Sequence, residues 1–360
     1  MAMFREYVYN LTTDKYRGFV PAIARPILYL LSLIYALTVR VLIFGKRLKP
    51  RPLSCKVVSV GNITLGGTGK TSLVEYIARY LKEKGKKVAV VSRGYKRKVG
   101  SWELGVGSYE VMGDEPFMLQ ENLKDIPVIV DADRFRGIEQ AVRDYGVDTV
   151  ILDDAMQQWG IKKDLEIVCI DASNPFGNGR LLPRGILREP LSGLKRADIF
   201  VLTKTDLSRD TLKIKSDLEK INPRALIVES VHRPVGFYEI GKKDNVLGVE
   251  ALKGKTAAVF SGIGDPESFE TLIKNLGINI GISFRFSDHH HYAQGDLDNI
   301  YQSARKNNID TVITTEKDAV RISRLPTPDS RLPTLILRVE LVITKNEEQL
   351  HNRFLKLYRL

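Results

Sequence analysis

The chain has 360 residues, 43% of them hydrophobic and 27% charged, with a net charge of +12. That length exceeds what one core ordinarily holds, and the balance excludes a disordered polypeptide. The basic residues gather in no single arm or helix, so the charge suits an anionic membrane surface or a phosphorylated substrate rather than nucleic acid. The two cysteines, Cys55 and Cys169, lie inside apolar strand-like runs, which excludes a disulfide framework and suits a reducing cytoplasm.

The first element is apolar. From Ile27 to Phe44 the sequence reads ILYLLSLIYALTVRVLIF, with Arg25 before it and Lys46, Arg47 and Lys49 after. A bilayer span needs about 20 apolar residues, and this run is slightly short, with Arg40 inside it. No small-residue cleavage site follows, so a removable signal peptide is not expected. A transmembrane helix, a buried core helix and an interfacial helix all fit the run. Arg40 can snorkel and the flanking cations suit anionic headgroups, which favours the interfacial helix.

The strand VVSV (57–60) then enters a glycine-rich turn, Gly-Lys-Thr, and an amphipathic helix from Ser72 to Lys84. This is the layout of a triphosphate-binding loop. Glycines let backbone N–H groups converge on phosphate oxygens, and the helix N-terminus adds its positive dipole end. Gly66, Gly67, Thr68, Gly69, Lys70, Thr71 and Ser72 form the expected nucleotide cradle. Lys70 reaches the β and γ phosphates, and the Thr71 hydroxyl ligates Mg²⁺. Thr64 replaces the first glycine of G-x-x-x-x-G-K-[ST], and Gly66-Gly67 supplies the flexibility instead.

Apolar runs alternating with helical patterns follow: VAVVS (88–92), IPVIV (126–130), TVILDD (149–154), EIVCID (166–171) and DIFVLTKTD (198–206). Fully apolar strands of this kind predict an α/β fold, a mostly parallel sheet of the P-loop NTPase type with helices on both faces. The pattern pauses near His232-Arg233-Pro234 and resumes at Lys255, predicting a second, smaller α/β domain that ends in a strand and a terminal helix. The expected division is therefore an N-terminal membrane-associated segment (1–50), a nucleotide-binding core (51–232), a linker (233–254) and a C-terminal domain (255–360).

Several residues could carry chemistry at the strand ends. Asp153 closes an apolar strand beside the phosphate loop, which suits an Mg²⁺ ligand. In Gly113-Asp114-Glu115-Pro116 the residue types fit a helix N-cap; equally, Asp114 could be a general base and Glu115 a further metal ligand. In Asp288-His289-His290-His291 adjacent histidines face opposite sides, so they do not make one metal site. A histidine oriented by a carboxylate and a surface turn both fit. Lys204 and Asp206 of TKTD form a loop of the kind that packs on a nucleotide base, and its aspartate would suit guanine, so a P-loop GTPase is an alternative. The run from Phe176 to Pro190, with Arg184 and Arg188, reads as a solvated basic loop or as an anion-binding loop that Arg93 and Tyr95 could join.

Taken in order, the apolar helix, GNITLGGTGKT (61–71), SRGY (92–95), GDEP (113–116), LDDAMQQ (152–158), RLLPRGILREP (180–190), TKTD (203–206) and SDHHHY (287–292) resemble the tetraacyldisaccharide 4′-kinase family of lipid A biosynthesis. The resemblance implies transfer of the ATP γ-phosphoryl group to the 4′-hydroxyl of a lipid-linked disaccharide 1-phosphate. It also implies Mg²⁺ and the cytoplasmic face of a Gram-negative inner membrane. Carried over by residue, the family's loop lysine and metal hydroxyl match Lys70 and Thr71, its metal aspartate matches Asp153, and its catalytic Asp–His pair matches Asp114 and His289. Under the expected division Asp114 and His289 lie in different domains, so the pair would form only on closure. Two departures stand out. Many members carry Asp-Asp-Gly-Phe-Gln-His where this chain has Asp-Asp-Ala-Met-Gln-Gln, and Ser72 stands where proline usually follows the loop threonine.

Overall fold

The computed structural model describes residues 18–47, 53–94, 112–323 and 332–358, together with Thr12, Asp14 and Leu325. The chain forms two compact units. The first comprises Met1–Arg93, Asn122–Val231 and Leu341–Leu360; the second comprises Gly94–Glu121 and His232–Glu340.

The first unit opens with helix α1 (Phe19–Arg47), a longer element than the apolar run that marks it. Strand β1 (Lys56–Asn62) leads into α2 (Lys70–Glu83), then β2 (Val88–Ser92). After α3 (Asp114–Asn122) come β3 (Val128–Val130), α4 (Arg134–Tyr145), β4 (Thr149–Asp153), β5 (Leu165–Asp171), β6 (Ile199–Thr203), α5 (Thr211–Ile221) and β7 (Leu226–Glu239). The strands of this unit lie in the order β3-β2-β4-β1-β5-β6-β7, all parallel. Their side chains are apolar on both faces because helices cover both. Val57, Val91 and Val150 pack with Ile138 of α4, while Ile170, Phe200 and Leu202 pack with Ile214 and Leu218 of α5. Asp133 caps α4 by accepting from the N–H groups of Phe135 and Arg136, and Asp210 caps α5 through Lys213, each cap contributing about 1 kcal/mol.

The second unit holds α3 up to Glu121 and the later half of β7. The remaining elements are β8 (Leu247–Gly248), β9 (Thr256–Ser261), α6 (Pro266–Asn275), β10 (Asn279–Arg285), α7 (Gln294–Lys306), β11 (Val312–Thr315), α8 (Glu316–Ile322) and the start of β12 (Thr334–Lys345). Strands β10-β9-β11-β12 are parallel neighbours in that order. The two-residue period of β9 divides its side chains. Ala258 and Phe260 join the cluster with Ile300 and Tyr301 of α7, and Ala257 and Val259 join that with Phe269 and Ile273 of α6. Helix α9 (Glu347–Lys356) belongs to the first unit, where Tyr80 of α2 stacks on His351 at 3.9 Å.

This division shares one boundary with the one expected and differs in two ways. The pause at His232-Arg233-Pro234 falls where the first unit gives way to the second, after Val231, but inside the 14-residue strand β7 rather than in a linker; β7 is buried at 227–230 and 236–238 and more exposed between them. The terminal helix returns to the first unit instead of closing a C-terminal domain. Above all, the segment carrying Asp114 leaves the first unit between β2 and β3 and packs in the second, with His289.

Candidate active site

In the first unit the polar residues collect at the C-terminal ends of parallel strands, where α/β sheets bind ligands. Asn62 ends β1 and is fully buried. Its Nδ2 donates to the Thr64 carbonyl at 2.7 Å, holding the glycine turn, and its Oδ1 accepts from Lys70 Nζ at 3.2 Å. Thr203, at the end of β6, donates to the Thr68 carbonyl at 3.0 Å and pins the far side of the loop. Gly66 and Gly69 have φ of 115° and 77°, which side chains avoid, and a Cβ at Gly66 or Gly67 would meet open space. Gly69 leaves the N-terminus of α2 without a side-chain cap, so the first N–H groups of a 14-residue helix remain for an anion. Thr71 and Ser72 sit in that first turn, Thr71 buried and Ser72 half-buried.

Asp153 ends β4, 2% exposed, and its Oδ2 accepts from Ser92 Oγ at 3.1 Å. The chain turns sharply here. Gly61 permits it, since a Cβ on Gly61 would fall 2.6 Å from the Met156 nitrogen. Asp154 follows with φ of 50° and pairs with two cations, Arg188 at 2.8 Å and Lys70 at 3.7 Å. Beneath, Arg134 is fully buried and donates to the carbonyls of Asp131 and Asp153 at 2.8 and 3.0 Å. Burial pulls its pKa down, against the opposing charges of Asp153 and Asp154. Lys204 ends its side chain on Asp171 at 2.7 Å, and Asp206 lies exposed in the short 3-10 turn that follows.

The basic loop 180–190 braces this cradle. Leu65 N–H donates to the Ile186 carbonyl at 2.8 Å, and Arg188 N–H donates to the Ile63 carbonyl at 2.7 Å. The same loop docks α1: Ser32 Oγ donates to the Leu181 carbonyl at 2.9 Å and Tyr35 Oη to that of Arg188 at 2.7 Å. Arg184 pairs with Asp14, with two contacts of 2.8 and 3.1 Å. Apart from this docking stripe, α1 presents Leu30, Ile34, Leu37 and Val41 to solvent, each more than 60% exposed. It is not a buried core helix. Arg93 is exposed at the end of β2, and Tyr95 lies outside the described residues.

The second unit gathers the other candidates, again at strand C-terminal ends. His289 follows β10 in the left-handed region, φ 56°, with its N–H donating to the Gly262 carbonyl at 3.0 Å. His289 Nδ1 lies 2.9 Å from Asp114 Oδ2. Arg321 of α8, its side chain 1% exposed, donates from Nε to the same Oδ2 at 2.6 Å. Burial pushes the Asp114 carboxyl up, but the His289 hydrogen bond and the Arg321 charge outweigh it, and its pKa ends below the usual carboxylate range. An ionised carboxylate only accepts, so His289 Nδ1 carries the proton and donates. Asp114 is thus no helix cap; its oxygens face side chains. Glu115 pairs with Lys317 in this unit. Of the other histidines in this run, His290 Nε2 donates to Asp296 Oδ2 at 3.0 Å and its ring stacks on Phe286, and His291 is exposed.

Sequence reading missed Asn62, Ser92, Arg134 and Arg321. Asn62 and Ser92 are polar residues ending apolar strands, the same signal that marks Asp153. Arg321 follows Asp318 at the i, i+3 spacing of a short helix, a pattern too common to mark a site by itself.

The chain as a whole has relatives among known proteins. Residues 24–359 match the model of the LpxK family, tetraacyldisaccharide-1-P 4′-kinase. A tetraacyldisaccharide 4′-kinase of Halothermothrix orenii is 39% identical over 339 residues, 88% of each chain. One from Syntrophobacter fumaroxidans is 40% identical over 283 residues, 77% of this chain and 74% of that one. The chain belongs to this family. A crystal structure of LpxK from Aquifex aeolicus, described as an "apo" form in complex with ATP, superposes with a TM-score of 0.71 at 27% identity, covering 93% of this chain and all of that one.

Proposed function

We propose that this kinase transfers the γ-phosphoryl group of ATP to the 4′-hydroxyl of a tetraacyldisaccharide 1-phosphate, with Asp114 receiving the hydroxyl proton. The observation that carries the reading is the hydrogen bond from His289 Nδ1 to Asp114 Oδ2. A GTPase switch needs an oriented water but no such dyad, whereas an alcohol acceptor must lose a proton as the new P–O bond forms. Arg321 and His289 keep Asp114 in its base form. As negative charge moves to the leaving phosphate, the proton passes from the acceptor oxygen to the carboxylate, and the His289 N–H continues to hold it.

The first unit supplies nucleotide handling. Backbone N–H groups of 66–72 receive the phosphates, Lys70 moves from Asn62 and Asp154 onto the β and γ oxygens, and Lys204 and Asp206 flank the base. Thr71 and Asp153 would hold Mg²⁺. Both offer hard oxygen donors of the kind Mg²⁺ prefers, at the start of α2 and the end of β4. When bound, Mg²⁺ offsets phosphate charge. Arg188 and the exposed Arg93 provide cations for phosphate groups of the substrates.

The apolar face of α1 supports a place at a membrane surface, on the cytoplasmic face of the bacterial inner membrane, where acyl chains stay in the bilayer while the sugar is phosphorylated. Purified protein incubated with radiolabelled ATP and the disaccharide 1-phosphate lipid, followed by chromatography, should yield a labelled bisphosphorylated lipid. Label transfer from GTP at an equal rate, or none from ATP, would overturn the reading.

A further inference from the structure

The family's dyad does not stand alone in this chain. Arg321 is buried between two carboxylates, Asp114 on one side and Asp318 on the other, at 2.6 and 3.0 Å. Asp318 is in turn anchored by Tyr292 Oη at 3.0 Å, Thr315 Oγ at 2.7 Å and the Gly262 N–H at 3.0 Å. Arg321 Nη1 also donates to the Gly262 carbonyl at 2.8 Å, the acceptor that His289 N–H uses. One guanidinium therefore reaches the side chain of Asp114 and the backbone anchor of His289, and its Nη2 stands 3.4 Å from the His289 ring. Both donors fall on Oδ2 of Asp114, and among the described residues no donor reaches Oδ1.

We propose that Arg321 is a positioning residue for phosphoryl transfer: it locks the Asp114 carboxylate and the left-handed His289 in one register, so that Oδ1 of Asp114 is the atom presented to the acceptor hydroxyl. The inference rests on the reading of Asp114 as proton acceptor. A planar fork suits this task. Lysine offers a point charge that cannot hold Oδ2 and the Gly262 carbonyl in fixed directions together. The charge is also neutralised locally, since the two flanking carboxylates raise the Arg321 pKa against its burial.

The test is a mutant cycle on the full-length enzyme with ATP and the disaccharide lipid. Arg321→Gln should lower kcat about 100-fold, the scale of a misplaced catalytic group, while KM for both substrates stays within about two-fold. Arg321→Lys should restore part of that rate. In an Asp114→Asn background, adding Arg321→Gln should cost less than about three-fold, because the two act as one unit. Removing Arg321 strands Asp318 in the interior, so Arg321→Gln/Asp318→Asn, which removes both charges, guards against misfolding and should show the same low kcat. An undiminished kcat in the folded variants overturns the inference, as does an equal loss with and without Asp114. If Asp114→Asn itself retains wild-type turnover, the failure lies instead with the proton-acceptor reading.

Discussion

His289 Nδ1 stands 2.9 Å from Asp114 Oδ2 across a separation of 175 positions in the chain, and both residues belong to one compact unit. Their hydrogen bond lies within that unit, so bringing the two units together is not needed to form it. The excursion that carries Asp114 out of the first unit between β2 and β3 has this as its consequence.

A dyad held within one unit predicts non-additive loss. Asp114→Asn should lower kcat by about 10²- to 10⁴-fold, the usual value of a positioned proton acceptor. The double variant with His289→Ala should be little worse than Asp114→Asn alone, since the two act together. Binding of a non-hydrolysable ATP analogue should be unchanged, because neither residue contributes to the loop at 66–72. Additive losses in steady-state rates would mean that each residue acts by itself.

The nucleotide loop makes a second prediction, at Asn62. Its amide holds both the Thr64 carbonyl and Lys70 Nζ. Asn62→Ala leaves a buried carbonyl without its donor, a cost of about 1–3 kcal/mol, and frees the lysine. Calorimetric titration should show ATP-analogue affinity reduced about ten-fold, from about 1.4 kcal/mol of lost preorganisation. Wild-type affinity in a folded Asn62→Ala protein would show that Lys70 needs no such guide.

What could be read in the sequence follows from what kind of physics fixed it. The parallel sheet was legible because the bodies of VAVVS and TVILDD are apolar on both faces, and strands covered on both faces tolerate that. The positions of Lys70, Thr71 and Asp153 at a helix start and a strand end were legible because local spacing marks them. The partnership of Asp114 with His289 came only through family resemblance, and Arg321 not at all, since a contact made by folding leaves no local period. The boundary after residue 232 was legible to within a residue, but the strand that crosses it was not. Strand β7 changes its surroundings midway, so half of it reads as a strand and half as a connection.

Stability should depend on acid through Glu270. Two hydrogen bonds from Arg285, at 2.7 and 2.8 Å, hold its carboxyl at about 2, below the ordinary 4.5, with burial opposing and Ser283 assisting. A depressed folded pKa gives stability that is complete above about pH 4.5 and fades as pH falls toward 2. Arg285 is half exposed, so solvent screening limits the effect to about 1 kcal/mol. In urea melts, Glu270→Gln should be the less stable protein at pH 6 and converge with wild type near pH 2. Parallel curves across that range would remove Glu270 from the account.

The solvent-facing stripe of α1 sets the last expectation. Leu30, Ile34 and Leu37 lie about one turn apart on an exposed face of α1, while Ser32, Tyr35 and Val39 face the body. Burying one such side chain in a bilayer interface is worth about 1.5–3 kcal/mol. Aspartate at all three positions should therefore release the protein from vesicles of anionic lipid in sedimentation assays. The docking contacts through Ser32 and Tyr35 are untouched, so loop 180–190 and the cradle it braces should keep their geometry. Turnover of substrate dispersed in detergent should then stay near wild type, while turnover of substrate held in vesicles falls. Continued sedimentation of the triple variant would mean that another surface holds the membrane; loss of activity in detergent as well would mean that the stripe packs on the protein.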